Sequence, residues 1–216
     1  TVGGGGVAPQ VSPLIAAIRE APQRPIRIIS HEDEQGRVFN CSFFEDKATM
    51  DAFLEWYNTS ALSPDGEFHG CVKTAAAHEL PTPETLIFST GTRILADTRF
   101  GEYQLGMAVR YTSWQPNSPE MFEEATEGMA IDELEAKIAQ CMSERNVSFF
   151  GRLVMTDVPK DSGEVGSILT ATRFGSLDDA QRGTALSREL LHNQLSRWFK
   201  PTPPTICGIA MRVLEV

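Results

Sequence analysis

The alternation of apolar and polar positions is sharpest in the second half of the chain. Tyr103 to Trp114 (YQLGMAVRYTSW) changes character at every second residue and is rich in β-formers, which predicts a strand. Within Ser118 to Arg145 the run DELEAKIAQCMSER places Leu134, Ile138 and Cys141 three or four residues apart, the spacing of one helix face. Val147 to Asp157 (VSFFGRLVMTD) and Ser167 to Phe174 (SILTATRF) read as strands on either side of PKDSGE, a turn by composition, so they form a hairpin. Ser176 is placed to cap a helix running to Phe199, with Leu177, Ala180, Thr184, Leu191, Leu195 and Trp198 on one face. Lys200-Pro201-Thr202-Pro203-Pro204 ends it, and Ile206 to Val216 supplies a last strand. The predicted order is βαββαβ, a split βαβ unit of the ferredoxin-like kind.

The first half repeats this order less completely. Pro13 to Ala21 reads as a first helix, Ile26 to His31 and Val38 to Phe44 as a hairpin, Lys47 to Thr59 as a second helix and Glu67 to Thr74 as a closing strand. Phe44 and Phe174 each open the passage from strand to helix, and Cys71 and Cys207 fall in corresponding last strands. A first strand is missing from this repeat, and Glu84 to Leu95 is a spare β segment able to fill that edge. The expected organisation is a flexible leader over 1–12, one unit over 13–95 and a second over 96–216. The leader reads as processed or artificial because it lacks an initiator Met and carries Gly3 to Gly6.

Composition narrows the classes. The 216 residues carry 29 acidic and 19 basic side chains, a formal charge of −10, which argues against partners that demand a Lys and Arg excess, nucleic acid and anionic membranes alike. At 41% apolar and 22% charged residues the chain has the means to bury a core. No apolar run is long enough to predict a membrane-spanning helix. Cys41, Cys71, Cys141 and Cys207 show no metal or redox spacing and read as small buried hydrophobes; without a signal-peptide pattern the expectation is a cytoplasmic protein. GxGxxG, P-loop, HExxH, GxSxG and zinc-spaced histidine motifs are all missing, and no metal site is expected.

The element order, with Phe39-Asn40-Cys41-Ser42-Phe43-Phe44-Glu45-Asp46 leading into Met50 to Tyr57, resembles the dimeric α+β barrel superfamily. That group includes antibiotic-biosynthesis monooxygenase-like proteins, polyketide cyclases, stress-responsive barrel proteins and haem-degrading monooxygenases. The resemblance covers Glu102 to Val216 well and Pro13 to His78 loosely. It implies an α+β fold in which two ferredoxin-like units, here in one chain, pack sheet to sheet as a pseudo-dimeric barrel, with a homo-oligomer as a further expectation. It also implies a cofactor-independent monooxygenase or cyclase acting on a small conjugated anion. A non-catalytic ligand-binding or stress-response barrel is the rival, and a haem protein using His192 or His78 is a second alternative.

Strand parity supplies the candidate site. Leu105, Met107, Val109 and Tyr111 share one side of their strand, as do Phe149, Leu153 and Met155, and Cys207, Ile209, Met211 and Val213; this apolar surface is expected to receive the helices. The opposite side then carries Arg110, Arg152, Arg173 and Arg212, one per strand, with Trp114 as a flat wall. Enclosed in a barrel, these guanidinium groups need carboxylates from the protein or from a small anionic or aromatic ligand. On an open sheet they would simply face water. His78 falls on the arginine side and, with Tyr111, is the candidate for proton removal from an enol or phenol. His31 precedes Glu32, Asp33 and Glu34 and is expected in a solvated turn, His192 at a helix boundary, and Trp56 and Tyr57 in packing roles.

Overall fold

The computed structural model describes residues 18–63, 65–66, 91, 93–158 and 164–215. They fall into two compact units: one of residues 18–28, 42–63, 65–66 and 214–215, and one of residues 29–41, 91, 93–158 and 164–213. The division therefore does not follow a single cut near residue 95, because residues 29–41 cluster with the second half.

Seven strands make one open sheet: β1 (Arg27–Glu32), β2 (Val38–Phe43), β3 (Arg93–Asp97), β4 (Ala108–Trp114), β5 (Phe149–Thr156), β6 (Ile168–Phe174) and β7 (Thr205–Glu215). Their order is β2-β1-β7-β4-β6-β5-β3. The central β7-β4-β6-β5 block is the ferredoxin-like arrangement expected from the βαββαβ pattern, and β4 pairs antiparallel with both β6 and β7. The class is α+β, as expected. The hairpin β1–β2, assigned from sequence to a second sheet, instead extends the same sheet beyond β7; β3, which shares only Arg93–Leu95 with the spare segment, lies at the opposite edge against β5 rather than in the first unit, and residues 84–90 and 92 of that segment lie outside the described residues. The strand expected at Glu67 to Thr74, with Cys71, lies outside the described residues, as do the leader and most of the first predicted helix.

Local chemistry explains the helices. α1 (Lys47–Trp56) starts where the Asp46 carboxylate accepts the Thr49 amide at 2.8 Å, and a π-helical turn, Tyr57–Leu62, continues it. The single helix expected between β4 and β5 is two, α2 (Pro119–Thr126) and α3 (Gly128–Glu144), because Glu127 is extended at φ −64° and ψ 127°. α4 (Leu177–Trp198) is capped by Ser176, with Asp178 and Asp179 in its first turn and Arg197 in its last, each sign matched to the helix dipole. In β5 the register against β6 shifts between Phe149 and Arg152 at Gly151, whose φ of +83° and close approach to the Thr98 carbonyl leave no room for a side chain.

In the larger unit both faces of β4 are buried. Ile138 and Met142 of α3 and Ala180 and Leu191 of α4 pack with Ala108 and Phe174 on one face. Val109, Tyr111, Leu153, Leu169 and Ala171 form a separate cluster on the other, joined by Phe39, Cys41, Tyr103 and Met155. The smaller unit has its own cluster of Ile18, Ala21, Ile28 and Phe53, against which Trp56 and Tyr57 pack as expected, the Phe53 and Tyr57 rings stacked at 5.9 Å.

Candidate functional site

The helices choose the face opposite to the one that parity predicted. Arg110 Nη1 hydrogen-bonds to Thr184 Oγ1 of α4, and Arg152 pairs with Glu135 of α3, so both arginines point into the helix layer. Val109 pairs with Arg173 across β4 and β6, which puts Arg173 on the other face, and Arg212 is exposed. The four arginines therefore do not converge. The physical reason is that β4 is buried on both sides, so hydrophobicity alone could not say which side meets the helices. The richer apolar side went to the Phe39 and Cys41 cluster, and the side with Arg110, Thr112 and Trp114 went to a cavity.

That cavity lies between the sheet and helices α3 and α4, with a volume of about 720 Å³ including its solvent-open mouth. Its floor is Arg110, Thr112, Trp114, Arg152 and Thr170; its walls include Glu135, Thr184, Ser187, Leu191 and Leu195. Trp114 donates from Nε1 to Thr170 Oγ1 at 3.1 Å, which fixes the indole, and its ring meets Phe199 at 5.3 Å. Sequence parity identified Arg110, Arg152 and Trp114 as neighbours. It missed Glu135 and Thr184, which only the helix packing brings in.

The two buried arginines differ. Arg152 Nε donates to Glu135 Oε1 at 2.9 Å, Nη2 also bonds Glu135, and Thr98 Oγ1 lies 3.4 Å from Oε2, so this buried charge is compensated. Arg110 is 8% exposed, sits 5.5 Å from the centre of the Phe174 ring, and forms no ion pair among the described residues. Its Nε has no hydrogen-bond partner among the described residues. Burial, with a smaller contribution from the Arg152 charge, lowers its pKa to about 10, so it stays protonated at neutral pH. Next to it on β7, Cys207 is a free thiol pushed up to about 11 by burial.

On the other face, His31 is fully buried at the end of β1, not solvated in a turn. Its ring stacks on Phe39 at 4.9 Å, and Nε2 lies 2.7 Å from the Tyr103 hydroxyl and 3.5 Å from that of Tyr111. Burial drives its pKa down to about 4, and it also raises the Tyr103 and Tyr111 phenols above their ordinary value. Arg173 covers the Tyr103 ring at 4.8 Å. Tyr111 thus belongs to this cluster and does not line the cavity. His192 is exposed on α4, and His78 lies outside the described residues. Cys41, Cys141 and Cys207 are free, as expected, and half-buried; Cys71 lies outside the described residues. Among the described residues no cluster of metal-ligating side chains occurs, and no helix is long and apolar enough to cross a membrane.

An anthrone oxidase-like protein superposes over 94% of this chain and 84% of its own with a TM-score of 0.57 at 10% identity. The two chains share a fold. Shorter matches are SnoaB, a cofactor-independent oxygenase from Streptomyces nogalater (16% identity, 50% of this chain and 95% of that one, TM-score 0.34), and a dimeric protein of ferredoxin-like fold from Bacteroides fragilis (15% identity, 53% and 100%, TM-score 0.33). No family model matches the sequence, and no curated protein is a recognisable relative.

Proposed function

We propose that the chain is a cofactor-independent monooxygenase or cyclase that binds a small conjugated anion in the cavity between the sheet and helices α3 and α4. The observation that carries this reading is Arg110, a buried cation without a carboxylate partner among the described residues, lining a cavity walled by Trp114 and Phe199. Such a charge is costly to bury unless something anionic shares the site. In oxygenase chemistry of this kind the bound enolate or phenolate itself delivers electrons to dioxygen. The protein's part is then to favour the ionised substrate and exclude water, and Arg110 and the apolar walls are suited to both.

One observation favours the non-catalytic rival. The only carboxylate in the lining, Glu135, is engaged by Arg152, and the lining includes no histidine or tyrosine, so the described residues put no free base in the cavity. The two readings part on turnover. Anthrone is a fitting probe because it enolises to a conjugated anion, and its oxidation balances as one anthrone and one dioxygen giving one anthraquinone and one water. The expected result is oxygen uptake matched to anthraquinone formation and reduced at least tenfold in Arg110→Met. Binding of anthrone with no uptake would support the ligand-binding rival, and neither binding nor uptake would overturn the assignment of the cavity.

A further inference from the structure

The lining of the cavity grades from dry to wet. Of its described residues only Arg188 on α4 and Thr205 at the start of β7 are exposed, so the mouth opens between that helix and that strand. Arg110, Glu135 and Arg152 lie buried behind it, and with Arg188 they are the ionised groups of the described lining, three cations against one carboxylate. Arg152 and Glu135 pair with each other, which leaves Arg110 inside and Arg188 at the rim. Among the described residues Arg188 enters no ion pair, its neighbour Glu189 included. Its charge still reaches inward: burial is the main cause of the lowered Arg110 pKa, and the charges of Arg152 and Arg188 both add to it.

The rest of the molecule sets the contrast. The chain has a formal charge of −10, so an approaching anion meets a net negative protein, and this opening is a place where positive charge is in surplus. A cleft lined by one sign of charge, with walls of low dielectric, focuses its field toward solvent and raises the rate at which an oppositely charged ligand arrives. Water and salt screen an exposed charge, so it adds little to holding a bound ligand; its influence falls on the approach. We propose that Arg188 is the entry residue of the cavity: it captures anionic ligands at the mouth between α4 and β7 and speeds their association, while the walls and floor retain them. This rests on the reading of the cavity as the ligand site, and adds the residue that admits the ligand and the step at which its charge is read.

Stopped-flow fluorescence of the full chain with two probes of one skeleton tests it without any need for turnover. 1-Anilinonaphthalene-8-sulfonate is an anion, and N-phenyl-1-naphthylamine lacks the sulfonate and is neutral. At low salt, association of the sulfonate is expected to slow about threefold in Arg188→Gln and about tenfold in Arg188→Glu, with dissociation changed less than about twofold. Association of the neutral probe is expected to be the same in all three proteins, which also shows the cavity intact. Raising the salt from ~0.01 to ~0.3 M is expected to slow the sulfonate in the unaltered protein and to erase most of its advantage over the variants. Sulfonate association that is equal in all three proteins, a loss confined to dissociation, or an equal loss for the neutral probe would each overturn the inference and leave the cavity standing as a ligand site. If neither probe binds, the reading of the cavity fails and this inference with it. If the sulfonate is steered by Arg188 while anthrone gives no oxygen uptake, only the catalytic reading fails.

Discussion

At the scale of single residues, burial decides how each ionisable group behaves. His31 holds its neutral form in the fold, with a pKa of about 4 against 6.5 for the free side chain. Above pH 6.5 the imidazole is neutral in both folded and unfolded chains and favours neither. As pH falls from 6.5 to 4, the unfolded chain takes up a proton that the folded chain does not, so stability declines through that window, by at most about 3 kcal/mol. His31→Gln is expected to flatten this part of the profile, and chemical denaturation at pH 7.0, 5.5 and 4.5 checks it; parallel profiles for the two proteins would contradict the account. The Arg152 and Glu135 pair makes a complementary case. Glu135→Gln leaves a buried guanidinium without its counter-charge and is expected to lower unfolding free energy by about 3 to 5 kcal/mol, whereas replacing both partners by apolar residues should recover most of that loss.

At the scale of elements, the sequence was informative where one face of an element is wet and silent where both are dry. α4 shows the first case: its Ser176 cap and its apolar stripe through Ala180 and Leu191 are written in local order, and its ends fall within a residue of expectation. β4 shows the second, since parity correctly sorted Arg110 from Tyr111 but gave no means to tell which side the helices would cover. His31 was misplaced for a related reason. The acidic residues after it suggest solvent, but the chain turns only at Asp33, and the side chain two positions earlier already points into the sheet's other face. Gly183 had no visible signal at all. A Cβ there would stand 2.5 Å from Phe174 Cε1 and 3.3 Å from Met142 Sδ, in a place where Phe174 is fully buried and cannot swing away. Gly183→Ala is therefore expected to destabilise the protein by about 1 to 3 kcal/mol from overpacking, despite a helix-propensity gain of about 1 kcal/mol, and Phe174→Leu in the same chain should recover part of it. Thermal unfolding of the single and double variants measures both effects.

At the scale of the whole molecule, the question is whether the second half is a module in its own right. Periodicity from Tyr103 onward yields a complete βαββαβ unit, and on that evidence a chain beginning at residue 96 ought to fold alone. The contacts argue otherwise. Phe39 and Cys41 pack onto Val109, Tyr111, Leu153, Leu169 and Ala171, and His31 meets Tyr103 and Tyr111, so residues 29–41 complete the layer on the face away from the helices. Removing them would bare an apolar surface at the centre of the sheet, strip β7 of its β1 neighbour and truncate β3, leaving unpaired strand edges beside exposed hydrophobic area. A chain of residues 96–216 is accordingly expected to bind a hydrophobic dye and to lose the cooperative unfolding and near-ultraviolet dichroism of the full protein. Adding back residues 26–44 through a flexible linker long enough to reach β7 should restore both signals. A monomeric 96–216 fragment that unfolds cooperatively within a few degrees of the full chain would show instead that the hairpin β1–β2 is an accessory edge and that the ferredoxin-like block is sufficient to fold.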